Sequence, residues 1–164
     1  MTGCEPTDTI ASVAFDRDTI EAQLSLDLIG SSDMPKIAWD ALEAGLDGPG
    51  IRRLAALDSP TYFEVRDVLP RAMQEMGLAK LACSAAALRL AKHRAKEILA
   101  SGDDPLRHVH DFKHLWILAG YPSELCSLGN LYDDVYIATG NQSDDTIRKW
   151  IVERLKEMVR REEH

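Results

Sequence analysis

The sequence is poor in aromatic residues, and it has no long apolar run and no cysteine pair. Aromatic residues make up 6% of the chain, and alanine and leucine supply most of its apolar content, which favours packed helices over sheets. No apolar stretch approaches the roughly 20 residues that a membrane-spanning helix needs. Cys4, Cys83 and Cys126 form no CxxC motif, so they predict neither a disulfide framework nor a thiolate zinc site. We expect Cys83 and Cys126 to be small buried side chains.

The chain also has fewer cations than anions. Its 19 lysines and arginines against 27 aspartates and glutamates give a formal net charge of −8. Because nucleic acids are bound by neutralising their phosphates with cations, this charge predicts a partner other than a nucleic acid. An acidic surface favours the approach of a basic protein, so a protein partner is expected. The basic residues between Lys80 and Lys96 are expected to form a solvated helix face.

The first residues carry no targeting signal. Met1 to Asp8 are polar and acidic, whereas a signal peptide has a basic segment followed by an apolar one. Together with the absence of a membrane-spanning run, this composition predicts a cytoplasmic protein that does not bind membranes.

Helix start and stop signals recur at short intervals. Asp104-Pro105 and Ser143 have side chains typical of helix N-termini. Gly45 and Gly102 follow apolar helical stripes, as glycines do where helices end. The sequence therefore indicates many short helices joined by short turns.

These signals predict an all-α fold. A chain of 164 residues is near the usual size of one domain. We expect a compact single domain of about seven to eight helices over 16–164, in which helical pairs can stack as in a solenoid. A flexible N-terminal tail is expected over 1–15.

Several helices have more specific predicted features. The first helix is predicted over 19–29, although the alternation of apolar and polar residues over 23–28 is also typical of a strand. Pro70 is predicted to kink or break the helix that opens at Ser59-Pro60, because proline has no amide proton. In the longest helix, over 79–100, the inward residues are predicted to be Leu81, Ala85, Leu88, Ala95 and Leu99. The residues predicted to pack helices together are Trp39, Trp116 and Trp150.

The run from Ala41 to Leu57 reads ALEAGLDGPGIRRLAAL. It resembles an LExGxDxPxLRxLA segment of small uncharacterised bacterial all-α proteins, over about residues 37–76. The resemblance implies a bacterial protein and no particular reaction. The residues themselves predict a corner between two helices, in which Arg52 or Arg53 pairs with Asp47.

Two histidines and an aspartate on one helix are the main candidates for metal ligands. His110 and His114 are four residues apart, a spacing at which two imidazoles on one helix face can reach a single ion. Asp111 lies between them, and Asp133 or Asp134 can complete the ligand shell. Such a site would serve a metal-dependent hydrolase.

His110-Asp111 also resembles the dyad of the all-helical HD-type metal phosphohydrolases, with His93 before it and Asp133 or Asp134 after it. The resemblance implies a metal-dependent phosphohydrolase. The sequence departs from that pattern after the dyad, where Phe112-Lys113-His114 replaces the expected Gly-Lys.

Two functions follow from these observations. No stretch places a nucleophile beside a base or forms a glycine-rich phosphate loop, so the sequence favours a protein that is not an enzyme. We expect an acidic helical binding or regulatory protein that engages another protein, without an organic cofactor; a homodimer through the terminal helix is an alternative. The other function is a metal-dependent hydrolase, with a divalent metal held on the helix predicted over 105–119.

Overall fold

The computed structural model describes residues 15–161, and every regular element in that range is helical. The described residues form nine α-helical segments, of which α7 is a single turn and the other eight are longer. Their bounds are α1 (Arg17–Ser25), α2 (Met34–Glu43), α3 (Pro49–Ala55), α4 (Tyr62–Glu75), α5 (Cys83–Ser101), α6 (Val109–Leu118), α7 (Cys126–Gly129), α8 (Leu131–Ala138) and α9 (Asp144–Arg160). The predicted all-α class and number of helices are confirmed. The tail predicted over 1–15 lies outside the described residues, except for its last residue.

Side-chain caps open helices where the sequence predicts them. Ser143 Oγ accepts a hydrogen bond from the Thr146 amide at the start of α9. Asp104 Oδ1 accepts one from the Leu106 amide in the 3-10 turn that leads into α6. Each cap satisfies an amide that has no partner inside the helix. Of the helices within residues 15–161, none has both the length and the apolar content needed to cross a membrane.

Helix α4 differs from its prediction at its start and in its middle. Ser59 has a left-handed φ of 42°, so the helix begins later, with Thr61 as its cap. The Thr61 hydroxyl accepts from the Glu64 amide while the Glu64 carboxylate accepts from the Thr61 amide, which is a capping box. The helix then continues through Pro70. The helix is therefore not broken at Pro70, and buried side chains lie on both sides of the proline, while a kink there stays a prediction.

By their contacts, the described residues group into two compact units. The first unit holds residues 15–18 and 29–79 and contains α2, α3 and α4. The second holds residues 19–28 and 80–161 and contains α5 to α9 with most of α1. A single domain over 16–164 stays a prediction.

In the first unit the helices pack in chain order, with α3 lying against both α2 and α4. Gly50 allows the close approach of α3 to α4, because a Cβ on it would lie 2.8 Å from the backbone nitrogen of Ala72. Beside this contact, Glu75 of α4 accepts hydrogen bonds from the amides of Gly50 and Ile51, at 3.1 and 2.9 Å. A carboxylate of α4 thus caps the start of the preceding helix. Buried side chains of this unit include Ala38, Ala41, Ile51, Leu54, Val65, Val68 and Ala72.

The predicted corner between α2 and α3 is present. Arg52 donates from Nε and Nη2 to the two carboxylate oxygens of Asp47, at 2.8 and 2.6 Å. This hydrogen bonding by Arg52 lowers the pKa of Asp47. Of the two arginines between which the sequence could not choose, Arg52 is the one that forms the pair.

In the second unit the last helix returns to the long helix, since α9 packs against α5. Helix α6 contacts α5, α7 and α8. A stack of successive helix pairs would not bring α5 and α9 together, so this unit is closed by a contact between distant parts of the chain. Its largest fully buried side chains are Phe112, Leu125, Leu128, Leu131, Ile147, Ile151 and Leu155.

Trp116 of α6 fixes α7 and the turn that precedes it. Its ring lies on Gly129, where any side chain would collide with it. Its Nε1 donates to the Pro122 carbonyl at 3.1 Å, and Tyr121 packs edge-to-face on it with the ring centroids 5.0 Å apart. Trp116 is half-buried and packs helices together, as predicted.

A buried ion pair attaches the second unit's part of α1 to α5. Glu21 is only 5% exposed, and its Oε1 accepts from Arg89 Nη1 at 2.8 Å. One turn later, Ser25 Oγ accepts from the Leu81 amide at 2.9 Å. The first helix runs over Arg17–Ser25 rather than 19–29, because Asp27 has a left-handed φ of 53°.

The buried face of α5 differs from its prediction. Ala85 is exposed, and of the predicted inward residues only Ala95 is fully buried. The residues that are buried are Ala86, Ala87, Leu90, Ala91, Ala95 and Ile98. Because an alanine-rich helix offers several faces of similar hydrophobicity, the neighbouring helices decide which one is covered.

Two cysteines predicted to be buried, and one tryptophan predicted to pack helices together, lie at the surface instead. Cys83 and Cys126 are both exposed, and each is the first residue of its helix, where the chain has just left a turn. Trp39 on α2 is 56% exposed, because the small residues Ala38 and Ala41 form the buried side of that helix.

Candidate functional site

The two histidines predicted to bind a metal are both exposed on α6. His110 packs edge-to-face on Tyr132 of α8, with the ring centroids 5.8 Å apart. Lys113 lies with its Nζ 4.7 Å from the centroid of the same Tyr132 ring and 3.0 Å from Asp133 Oδ1. His110 therefore lies against an aromatic ring that a lysine also contacts, and His114 lies one turn further along.

Both aspartates of α8 are held by cations. Asp133 pairs with Lys113, and Asp134 Oδ2 accepts from Arg154 Nη1 of α9 at 3.1 Å. Within residues 15–161, no three His, Cys, Asp or Glu side chains lie close enough together to hold a metal ion. The structure thus does not gather the five predicted ligands at one place, and the metal site stays a prediction for a binding experiment.

Asp111 and His114 instead line a cavity of about 320 Å³ inside the second unit. The cavity lies among α1 from Thr19 onward, α5 and α6. His93, which the sequence relates to the phosphohydrolase pattern, lines it as well. The apolar part of its wall consists of Leu28, Leu90 and Leu115.

One carboxylate in this wall is already paired within α5. Glu97 Oε1 lies 3.2 Å from His93 Nε2, and Glu97 Oε2 lies 3.5 Å from Arg94 Nη1. All three side chains are about half-exposed. The pairing holds the α5 side chains together at the cavity wall, and Asp111 and His114 face it from α6.

His108 lies between two carboxylates next to this cavity. Its Nε2 is 2.8 Å from Asp103 Oδ2, and its Nδ1 is 3.5 Å from Asp111 Oδ2. The second contact is not aligned as a hydrogen bond, so the buried Nδ1 has no hydrogen-bond partner among the described residues. The hydrogen bond with His108, followed by that from the Asp104 amide, lowers the pKa of Asp103. His108 thereby ties the loop after α5 to the start of α6.

A second concave surface, which we call the α8–α9 groove, has a volume of about 550 Å³. Ile137 and Ala138 of α8 and Trp150 of α9 form its apolar part, and Asp134 and Arg154 lie at one side. The Arg154 guanidinium lies 4.2 Å from the Trp150 ring centroid and also pairs with Asp134. The charges in the groove are therefore neutralised by each other and by the indole ring.

Helix α8 exposes large apolar side chains beside this groove. Tyr136 is 80% exposed and Ile137 69% exposed, the two highest values among the large hydrophobic residues described. Tyr132, one turn before Tyr136, is 41% exposed. A monomeric protein gains nothing in stability from side chains so exposed, and aromatic residues of this kind are enriched at protein interfaces.

Sequence reasoning did not identify the groove, although one signal was present. Between Leu131 and Ala138, six of eight residues are apolar, whereas one buried face needs only Leu131 and Val135. The apolar residues other than these two indicate a second apolar face of α8 that is not buried.

Comparison of the chain with models of protein families, with curated proteins and with solved structures finds no match. A function for this chain is therefore argued from the geometry of the cavity and of the groove.

Proposed function

We propose that this chain is a non-catalytic binding protein whose α8–α9 groove engages another protein. The observation that carries the proposal is the exposure of Ile137, which lines the groove together with Trp150, and of Tyr136 at the preceding position of α8. Aromatic and large aliphatic anchors of this kind supply most of the binding energy at protein interfaces.

The polar groups of the groove support the same function. Because Asp134 and Arg154 are paired, a partner that covers the groove does not bury an isolated charge, which would oppose binding. Trp150 is half-buried, so its ring is held in place before a partner arrives, and less conformational entropy is lost on binding. The formal net charge of −8 favours approach by a basic partner.

Two alternatives can be distinguished from this proposal, one a different occupant of the groove and the other a different function. A second copy of the chain could fill the groove, in which case the protein would be a dimer in solution. The metal-dependent hydrolase would require Asp133 to leave Lys113, or Asp134 to leave Arg154, and to approach the two histidines of α6. The groove needs no such rearrangement, which is why we favour binding.

The experiment compares three variants as bait for a partner protein. Tyr136→Ser and Ile137→Ser remove the exposed anchors, and Tyr62→Ser removes an equally prominent tyrosine from the first unit, where it is 64% exposed. We expect one protein to be retained by the wild type and by Tyr62→Ser and lost with both α8 variants. All three substitutions are at the surface, so thermal melts should remain close to that of the wild type.

Retention that is the same for all variants would contradict the proposal, as would the absence of any retained protein. Sedimentation velocity of the wild type and of Tyr136→Ser decides whether the occupant is a second copy. A dimer that the substitution converts to a monomer would assign the groove to self-association.

A further inference from the structure

We propose that the cavity among α1, α5 and α6 of the second unit binds a small zwitterion with an apolar body, such as an α-amino acid with a large apolar side chain. This inference concerns a different surface from the α8–α9 groove and does not depend on it. It rests on the size of the cavity, its leucine wall and the two signs of charge around it.

The size and wall of the cavity suit a compact, partly apolar molecule. Its volume of about 320 Å³ is at the lower end of the range of small-molecule sites. Leu28 follows the turn after α1, Leu90 lies on α5 and Leu115 on α6, and together they give an apolar surface on which a hydrocarbon side chain can pack. A purely polar ligand would leave this surface uncovered.

The acidic side of the cavity suits a protonated amine. Asp111 is 53% exposed, and the His108 Nδ1 beside it is 3.5 Å away without hydrogen-bond alignment. The Asp111 carboxylate therefore keeps most of its capacity to accept hydrogen bonds. An ammonium group bound there gains charge-assisted hydrogen bonds.

The basic side suits a carboxylate. Arg94 lies 3.5 Å from Glu97, at the long limit of a hydrogen bond, and a guanidinium has five N–H donors. Several of these remain available to bind a carboxylate, for which a guanidinium has a matching bidentate geometry. His93, already at Glu97, adds a further polar group on the same side.

Ligands with only one charge fit less well. An amine without a carboxylate would leave the remaining guanidinium donors of Arg94 without a counterpart. A carboxylate without an amine would face Glu97 and Asp111. A zwitterion brings its ammonium group to Asp111 and its carboxylate to Arg94. This charge complementarity favours it over the amine alone or the carboxylate alone.

The test titrates the full chain with L-phenylalanine, 2-phenylethylamine and 3-phenylpropionate, followed by 1H–15N correlation spectra and by thermal melts. These probes share a phenyl ring and differ in their charged groups. We expect L-phenylalanine to shift amide signals of α1, α5 and α6, and to raise Tm, while the two single-charge analogues bind at least tenfold more weakly.

Two variants and two matched controls assign the charged contacts. Asp111→Asn should weaken L-phenylalanine at least tenfold, whereas Asp133→Asn, at a residue of similar exposure outside the cavity, should not. Arg94→Gln should also weaken the binding of L-phenylalanine at least tenfold, whereas its control, Arg107→Gln, should not. Asp111→Asn should also abolish the preference for L-phenylalanine over 3-phenylpropionate, and loss of a structural role alone would not change that preference.

Three results would overturn the inference. They are the absence of signal shifts with any of the three probes, equal binding of 2-phenylethylamine and L-phenylalanine, and signal shifts outside α1, α5 and α6. None of these results tests the α8–α9 groove, because the groove proposal is tested by the retention of a partner protein on the Tyr136 and Ile137 variants.

Discussion

Both units of this chain are all-helical, but the contacts that stabilise each unit internally differ. In the first unit each helix contacts its neighbour along the chain, and α3 is fixed to α4 by the Glu75 carboxylate at its N-terminus. In the second unit α5 contacts α9 across more than forty residues of chain (roughly the span from Ser101 to Asp144). Contacts between distant residues close a long loop at an entropic cost, so they need a larger core in return.

This difference in connectivity parallels a difference in what the units can do. The cavity with its histidines and carboxylates and the α8–α9 groove are both in the second unit. From this comparison we predict that a substitution in one unit affects the stability of that unit and not of the other.

The largest effect is expected from breaking the ion pair between α1 and α5. Arg89→Ala leaves the buried Glu21 carboxylate without its guanidinium, and we expect a loss of about 3 kcal/mol in the free energy of unfolding. Arg107→Ala, whose pair with Asp103 is exposed, is the control and should cost less than about 1 kcal/mol. Chemical denaturation measures both, and hydrogen exchange should show the lost protection in the second unit. Loss of protection confined to α2, α3 and α4 would contradict the division into units.

A smaller loss is expected from filling the contact between α6 and α7. In Gly129→Ala the new methyl group would collide with the Trp116 ring, and we expect a cost of about 2 kcal/mol, as for other overpacked sites. Gly140→Ala is the control, since a Cβ there meets nothing within 4 Å. If both variants melt at the wild-type temperature, the ring does not lie on Gly129 as described.

In the first unit the effect should depend on pH. Burial raises the pKa of Glu75, but the amide hydrogen bonds from Gly50 and Ile51 and the contact with Arg71 outweigh it, and the net pKa is lowered. A carboxylate with a lowered pKa contributes its stability in full above its unfolded-state pKa, and loses that contribution as the pH falls through the folded-state value. Glu75→Gln should therefore reduce Tm by a few degrees at neutral pH and flatten the fall in Tm on acidification.

Glu43→Gln, at an exposed glutamate of α2, is the control for this pH dependence. Its melts should follow those of the wild type at every pH. An unchanged acid dependence in Glu75→Gln would show that the carboxylate does not cap α3.

No effect is expected from divalent metals. The binding function requires none, so Zn²⁺, Mn²⁺, Ni²⁺ and Fe²⁺ should leave the melting temperature unchanged. A ligand at a hundred times its Kd would add about 2.7 kcal/mol, or a rise of roughly 5–10 °C for a domain of this size. Such a rise, lost in His110→Ala/His114→Ala, would replace the binding proposal with the metal-dependent hydrolase.

Local chemistry explains which features the sequence could predict. The caps at Asp104 and Ser143 and the Arg52–Asp47 pair involve residues within a few positions of each other, and all three are present. The all-α class follows from the same short-range signals. Their physical cause lies within one or two helical turns, so a single sequence contains it.

Features that depend on distant neighbours were not predictable in the same way. The face that α5 buries is decided by α6 and α9, and the sequence alone favoured Ala85, which is exposed. The predicted metal site of His110 and Asp133 stays a prediction, but the contacts of His110 with Tyr132 and of Lys113 with Asp133 depend on how α6 meets α8. The cavity around Asp111 and His114 exists only because α1, α5 and α6 meet, and no local spacing indicates it.

The placement of the three tryptophans gives each unit its own optical signal. Trp39, the tryptophan of the first unit, is 56% exposed, so its fluorescence should be red-shifted by water already in the folded state. Trp116 in the second unit donates to the Pro122 carbonyl and lies under Tyr121, where its emission should be blue-shifted and excited in part by energy transfer from that tyrosine. Unfolding of the second unit should therefore appear as a red shift of the tryptophan emission when tyrosine is excited. No added fluorescent label is needed.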